Sequence, residues 1–332
     1  MSWLVTGGAG YIGSHVVRAF REAGEQVVVI DSLSSGHPEF VPADVPFVRG
    51  TLLDGDLVRH ALRDHDVTGV VHLAGFKYAG VSVSRPLLTY QQNVTGTATL
   101  LEQMDAAGVG RIVFSSSAAT YGTPDVDLVT ERTPTHPESP YGESKLVGEW
   151  LIADQARAAE LAGGALAHTS LRYFNVVGSA TPDLYDTSPH NLFPLVLGML
   201  QRGETPRING GDYPTPDGTC VRDYVHVADL AHSHVVAAKT LEAGGALEPV
   251  YNLGSGDGVS VRQIMDVAAE VTGIDFTPEV TARRPGDPAR IVASGELAAR
   301  DLEWEMRHSL RDMVASAWEA QTRHPPEQGR AH

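Results

Sequence analysis

Short apolar runs alternate with amphipathic stretches through the first half of the chain. Trp3–Thr6, Gln26–Ile30, Phe47–Val48, Gly69–Leu73, Arg111–Ser115 and His168–Leu171 read as strands, while segments such as Ile12–Ala23 and Asn93–Ala107 between them read as helices. That order predicts the α/β class, a doubly wound parallel sheet covered on both faces. After about Phe174 the pattern loosens. Thr181–His190 and Asn209–Thr219 are rich in Pro, Gly, Asp and Thr and read as loops, and Tyr224–Val227 and Val250–Leu253 read as two more strands. The polar, Pro-rich end from about His324 is expected to fray.

Composition narrows the class of protein. With 332 residues and 42% apolar content, the chain can bury a large domain and a smaller one. A formal net charge of -16 argues against a nucleic acid or an anionic membrane as main partner, though not against a small anionic ligand. One cysteine, Cys220, excludes an intrachain disulfide and suits a reducing compartment. The first residues lack a basic, apolar leader, and no apolar run reaches the ~18 residues of a membrane span, so a cytoplasmic enzyme is expected.

The first strand runs straight into Thr6-Gly7-Gly8-Ala9-Gly10-Tyr11-Ile12-Gly13 and then a helix. Gly7, Gly10 and Gly13 permit a tight turn, close approach of a pyrophosphate to backbone, and close helix packing, and the helix N-terminus offers free N–H groups to the phosphates. The second strand ends in Asp31, whose carboxylate can accept from adenosine ribose hydroxyls and repel a 2′-phosphate. No Arg follows before Arg49, so NAD is favoured over NADP. Residues 1–174 are thus expected to form an NAD-binding Rossmann domain, with 222–256 packing back onto it, and 175–332 a smaller mixed α/β substrate domain.

A second constellation lies further on. Phe114-Ser115-Ser116-Ser117 closes a strand, and Tyr141-Gly142-Glu143-Ser144-Lys145 opens a helix with Ser139 at the N-cap and Pro140 at the first helical position. Spacing i, i+4 places Tyr141 and Lys145 on one face. A phenolate base working near pH 7 needs a shift of about 3 units, roughly 4 kcal/mol. The Lys145 ammonium and a positive nicotinamide ring both favour the phenolate, and the Ser117 hydroxyl can orient a sugar hydroxyl or bond the phenol.

These residues resemble the extended short-chain dehydrogenase/reductase superfamily and, within it, the UDP-glucose (UDP-galactose) 4-epimerases. The markers are TGGAGYIGSH at 6–15, HLAGFK at 72–77, NVTGT at 93–97, FSSSAATYG at 114–122, SPYGESK at 139–145, LRYFN at 171–175, YNLGSGDGVSV at 251–261 and RRPGD at 283–287. The most specific is the stretch 211–230, GDYPTPDGTCVRDYVHVADL. The resemblance implies that Tyr11, Ile12, Asp31, Ser34, Ser35, Thr51, Leu52, Leu73, Ala74, Gly75, Lys77, Gln92, Ser117, Tyr141, Lys145 and Tyr173 surround NAD. It implies that Ser117, Tyr141, Asn175, Asn191, Leu192, Asn209, Arg222, Arg284, Asp287 and Ile291 hold the nucleotide sugar, and that the chain is a homodimer through its Asn93–Ala107 and Glu143–Gln155 helices.

The implied catalytic residues are Ser117, Tyr141 and Lys145, acting in an oxidation at C4, a turn of the 4-keto sugar and its re-reduction. Dehydratases of the same superfamily need an acid and a base after the Ser117 position, where this chain has Ala118 and Ala119, which cannot transfer protons. Thr51, Gln92 and Asn209 depart from the family pattern (Asp, Asn and Phe), and Ile291 is intermediate between a Tyr and a small residue. Epimerisation of another nucleotide sugar, such as a UDP-N-acetylhexosamine or UDP-pentose, and a cofactor-binding regulator without turnover stay open as alternatives. His226, His232 and His234 do not share one helical face, and no metal is expected.

Overall fold

The computed structural model describes residues 2–284 and 287–324. Strands β1–β6 run Ser2–Thr6, Gln26–Asp31, Phe47–Arg49, Val67–His72, Arg111–Ser117 and Ala167–Tyr173. Then β7–β11 run Asn175–Val177, Arg207–Asn209, Val221–Arg222, Tyr224–His226 and Val250–Leu253, and β12–β14 run Val259–Ser260, Glu279–Thr281 and Arg290–Ile291. Helices α1–α6 span Tyr11–Glu22, Gly55–Asp64, Ala79–Ser84, Pro86–Tyr90, Gly96–Ala107 and Pro140–Leu161. The remainder, α7–α11, span Leu192–Gln201, Val227–Glu242, Val261–Thr272, Glu296–Asp301 and Leu310–Arg323.

Seven strands make one parallel sheet in the order β11-β6-β5-β4-β1-β2-β3. Alternate side chains of each strand serve opposite cores. Trp3, Val5, Val27, Val29, Val71 and Val113 pack with Val16, Val17 and Phe20 of α1 and Leu230 and Val235 of α8. Leu4, Val28, Ile30, Val70, Ile112 and Phe114 meet α2, α5 and α6 through Leu62, Leu100, Met104 and Ile152. Both faces are dry, which is why the strands read as unbroken apolar runs. At about 1.5–3 kcal/mol per buried large side chain, these two layers dominate the sheet's stability.

A third core joins α7, α9 and α11 with β8 and β10 through Phe193, Leu197, Ile208, Tyr224, Ile264, Met265 and Met313. It carries the segments that lie across the carboxyl edge of the sheet.

The boundaries differ from the pattern in instructive ways. β5 continues through Ser117 because its serines are satisfied in place: Ser115 Oγ meets His234 Nε2 at 3.0 Å and Ser116 Oγ donates to Glu149 at 2.5 Å. The helix expected from Asn93 begins as a wide π turn over Gln91–Thr95 before α5. β10 stops at His226, whose Nδ1 accepts from Ala228 N at 3.1 Å and caps α8. β7 is too short for its period to show, and pairs with β10. His324 does not fray: its ring stacks on Tyr185 with centroids 4.5 Å apart. Residues 325–332, also expected to fray, lie outside the described residues.

Candidate active site

The glycine loop turns from β1 into α1 under tight steric limits. Gly7 has φ +73°, and a Cβ there would come within 2.8 Å of the Ala74 nitrogen. A Cβ on Gly13 would collide with the Gly7 carbonyl oxygen. No side chain caps α1 at Gly10, so its first turn presents backbone donors. The Asp31 carboxylate accepts from Ala9 N at 3.0 Å and Leu33 N at 2.8 Å, tying the loop after β1 to the loop after β2. The cradle and the uncapped turn fit a dinucleotide pyrophosphate.

The other residues expected around the cofactor gather along the same edge. Ser34 and Ser35 follow β2, Thr51 and Leu52 follow β3, and Leu73–Lys77 follow β4. This is the place where strand order reverses about β1, the crevice in which open α/β sheets bind ligands. Burial lowers the Lys77 pKa, and the charges of Asp186 and Asp31 oppose that shift. Tyr11 turns its ring away: its hydroxyl donates to the Gly178 carbonyl at 2.6 Å, leaving the backbone N–H for the cofactor side. Gln92 lies half-buried in the π turn.

Tyr141 and Lys145 occupy the first turns of α6, which begins as the sequence indicates. Ser139 Oγ accepts from Gly142 N at 3.2 Å and Pro140 takes the first helical position. Lys145 Nζ donates to the Ser115 carbonyl at 2.8 Å and sits 6.0 Å from the Tyr141 ring centroid. Burial pulls Lys145 down to about 8, and the Glu149 carboxylate opposes it. Burial raises the Tyr141 phenol above the usual tyrosine value, with the Ser117 hydroxyl beside it acting the other way. The Lys145 ammonium is engaged with a strand carbonyl. Tyr173 neighbours the same phenol and is pushed up by burial first and Tyr141 second. After Ser117, Ala118 and Ala119 form a short 3₁₀ turn, and Ser117 Oγ accepts from Ala119 N at 3.2 Å.

Sequence reasoning missed the groups that fix this corner. Asn93 Oδ1 accepts from Phe76 N at 2.6 Å, while its Nδ2 donates to Phe76 O at 3.0 Å and Ser144 Oγ at 2.8 Å. Tyr141 N donates to Ser82 Oγ at 3.1 Å. The signal for Asn93 lies in its place at the head of the NVTGT stretch. His72 bridges Thr6 and Thr97 and is pushed to about 3 by burial and then by Lys145, so it is neutral in the working range.

A second cluster lies on the other side. Arg222 Nη2 bonds Asp287 Oδ1, and Ile291 of β14 pairs with Arg222 of β9. With its amide oriented to satisfy both ends, Asn209 donates to Thr281 Oγ1 at 3.0 Å and accepts from Arg284 Nε and Nη2 at 3.1 Å. Arg283 is pinned between Asp212 and the Tyr213 ring, 4.2 Å from its centroid. The Arg222 and Arg284 guanidiniums are planar forks of a kind that suits a diphosphate. Asn175 Nδ2 donates to Asp223 O at 2.9 Å at the start of β7. Asn191 precedes Leu192 at the start of α7, but its side chain bonds Asp186 at 2.7 Å rather than capping the helix. Asp186 gave no sequence signal. The three histidines diverge: His226 stacks on His308, His232 faces Glu303 and His234 meets Ser115.

Known proteins share this arrangement. Residues 3–254 match the model of the NAD dependent epimerase/dehydratase family. A UDP-glucose 4-epimerase of Corynebacterium glutamicum is 44% identical over 322 residues, covering 96% of this chain and 95% of its own. A crystal structure of a UDP-glucose 4-epimerase superposes with TM-score 0.93 at 40% identity, covering 99% of this chain and 100% of the other. The Bifidobacterium longum UDP-glucose 4-epimerase, solved with NAD+ and UDP, gives TM-score 0.87 at 34% identity over 98% of this chain and 99% of its own. The chain belongs to the NAD dependent epimerase/dehydratase family and, within it, to the UDP-glucose 4-epimerases.

Proposed function

We propose that the chain inverts C4 of a UDP-hexose, interconverting UDP-glucose and UDP-galactose, with Tyr141 as proton acceptor and donor. The observation that carries this reading is the meeting of Tyr141, Lys145 and Ser117 at the carboxyl end of β5, followed by two alanines where a dehydratase would need acids. The glycine loop, Asp31, Lys77 and Tyr173 hold NAD, which supplies the hydride acceptor that makes oxidation at C4 reversible. Tyr141 Oη takes the C4 hydroxyl proton and later returns it. The Lys145 ammonium favours the phenolate form of Tyr141, and Ser117 orients the sugar hydroxyl.

Arg222, Arg284 and Asp287 anchor the nucleotide diphosphate and ribose, so the 4-keto sugar can turn about that fixed link. Asn175, Asn191, Leu192 and Asn209 complete the wall. Ile291 narrows the space beside the sugar 2-substituent and favours unacetylated hexoses; equal turnover of UDP-glucose and UDP-N-acetylglucosamine counts against that preference. Residues 1–174 with 222–256 act as the cofactor half and the rest of 175–332 as the substrate half. A homodimer through α5 and α6, at work in the cytoplasm, completes the reading. Among the described residues no helix is long and apolar enough to cross a membrane.

The test is incubation of purified protein with UDP-galactose and detection of UDP-glucose. Tyr141→Phe should retain less than about a tenth of the turnover, since removing a general base typically costs 10²-fold or more. Higher residual activity removes Tyr141 from its role.

A further inference from the structure

A buried ion pair lies directly beneath the site. Glu149 sits one helical turn beyond Lys145 on α6 and receives Arg172 of β6 through two bonds, Nε to Oε1 at 2.8 Å and Nη2 to Oε2 at 2.5 Å. Ser116 Oγ adds a third at 2.5 Å. The two side chains are only 7% and 6% exposed. A pair buried this deeply is weak evidence for a stabilising role, because apolar residues of matching volume often serve as well. Its location suggests another use.

Each member is the chain neighbour of a group at the site. Ser116 precedes Ser117, Arg172 precedes Tyr173, and Glu149 follows Lys145 by the i, i+4 spacing that brings side chains to about 6 Å. Strand alternation sends Ser116 and Arg172 toward α6 while Ser115 and Tyr173 face α8, where both lie close to His234. One network therefore fixes the backbone that carries Ser117 and Tyr173 and places a carboxylate beside the buried ammonium.

We propose that Glu149 and Arg172 are positioning residues for Lys145: the Glu149 carboxylate keeps the ammonium charged in its dry setting, and Arg172 limits the strength of that hold. This rests on the reading of Lys145 given above. The surroundings leave the task to Glu149. From β4, His72 is neutral; from β5, the Ser115 carbonyl accepts from Nζ; from β6 come Arg172 and the neutral phenol of Tyr173; on α6 itself lie Tyr141 and Glu149. Behind the pair, the Tyr121 ring lies 4.8 Å from the Arg172 guanidinium and its hydroxyl donates to Asn252 Oδ1 at 2.8 Å. Glu131 accepts from Asn252 N at 2.7 Å. Burial is the main force lowering Lys145, and Glu149 is the opposing charge.

The experiment is the pH dependence of kcat for UDP-galactose epimerisation by the full chain carrying its NAD. Glu149→Gln keeps the shape but loses the charge; its alkaline limb should move down by about one pH unit, with kcat at pH 8 falling about fivefold and KM and NAD content unchanged. Arg172→Met leaves the carboxylate uncompensated, and its limb should move up. The double variant, which replaces the pair without stranding a charge, should fold and place its limb between wild type and Glu149→Gln. Loosening of α6 alone would not produce shifts of opposite sign. Limbs that stay fixed while stability and turnover fall, or any other order, overturn the proposal. Lys145→Met that keeps full turnover would instead remove the reading on which it rests.

Discussion

The Asn93 amide donates to the Ser144 hydroxyl at 2.8 Å, joining the loop after β4 to the helix residue between Tyr141 and Lys145. The same side chain also holds both backbone groups of Phe76. The loop and the helix are therefore set against each other by one residue that touches neither base nor ammonium.

Asn93→Ala should destabilise the protein by about 1–3 kcal/mol, because it strands buried polar groups of Phe76. Turnover should fall further than the loss of folded protein accounts for. Urea unfolding followed beside kcat checks both; unchanged kcat with lowered stability would confine Asn93 to the fold.

Lys145 should give stability an unusual pH dependence. Its folded value is about 8, lowered by burial against the opposing Glu149 charge, from the ordinary 10.5. Between those values the unfolded chain binds more protons, so this residue's contribution rises with pH through that window. In cofactor-free protein, Lys145→Met should be more stable relative to wild type at pH 7 than at pH 10. A difference in urea midpoint that stays constant over that range contradicts the assignment.

Asn209 accepts from Arg284 Nε and Nη2 with its carbonyl oxygen. Asn209→Ala should free the guanidinium and raise KM for UDP-sugars about tenfold, roughly 1.4 kcal/mol, with kcat within about twofold. Loss confined to kcat would mean that the amide serves chemistry rather than anchoring.

The outer face of α6 carries Trp150, 57% exposed, and the helix ends in Leu161, 86% exposed; α4, packed beside α6, adds Leu87 at 84%. Such a patch fits a second copy of the chain. Trp150→Glu should convert dimers to monomers in sedimentation equilibrium. A wild-type chain that sediments as a monomer would already refute the dimer.

What could be read along the chain was what is local. The glycine loop, the Ser139 cap, Pro140 and the i, i+4 pair announce themselves within a few residues, and the two-faced sheet shows in its apolar runs. What stayed hidden joins residues far apart: Asn93 and Ser144 are separated by 51 positions, and Glu149 and Arg172 by 23. A lone Asn or Glu has no periodicity, so nothing in the pattern distinguishes a buried tie from a solvated side chain. The behaviour of Lys145 was hidden for a related reason, since the Ser115 carbonyl that accepts its hydrogen bond comes from a strand whose register only the fold sets.

The strand at the far edge of the sheet also bears on how the chain is made. A ribosome that has reached Tyr173 has delivered every strand of the sheet except β11, and β6 then presents an unpaired flank. Residues 175–249 must emerge before Val250–Leu253 can seal it. Nascent chains stalled in that interval expose a ready template for a neighbour's strand. Arrival of β11 therefore marks the moment at which β6 gains its second neighbour and the central sheet is complete.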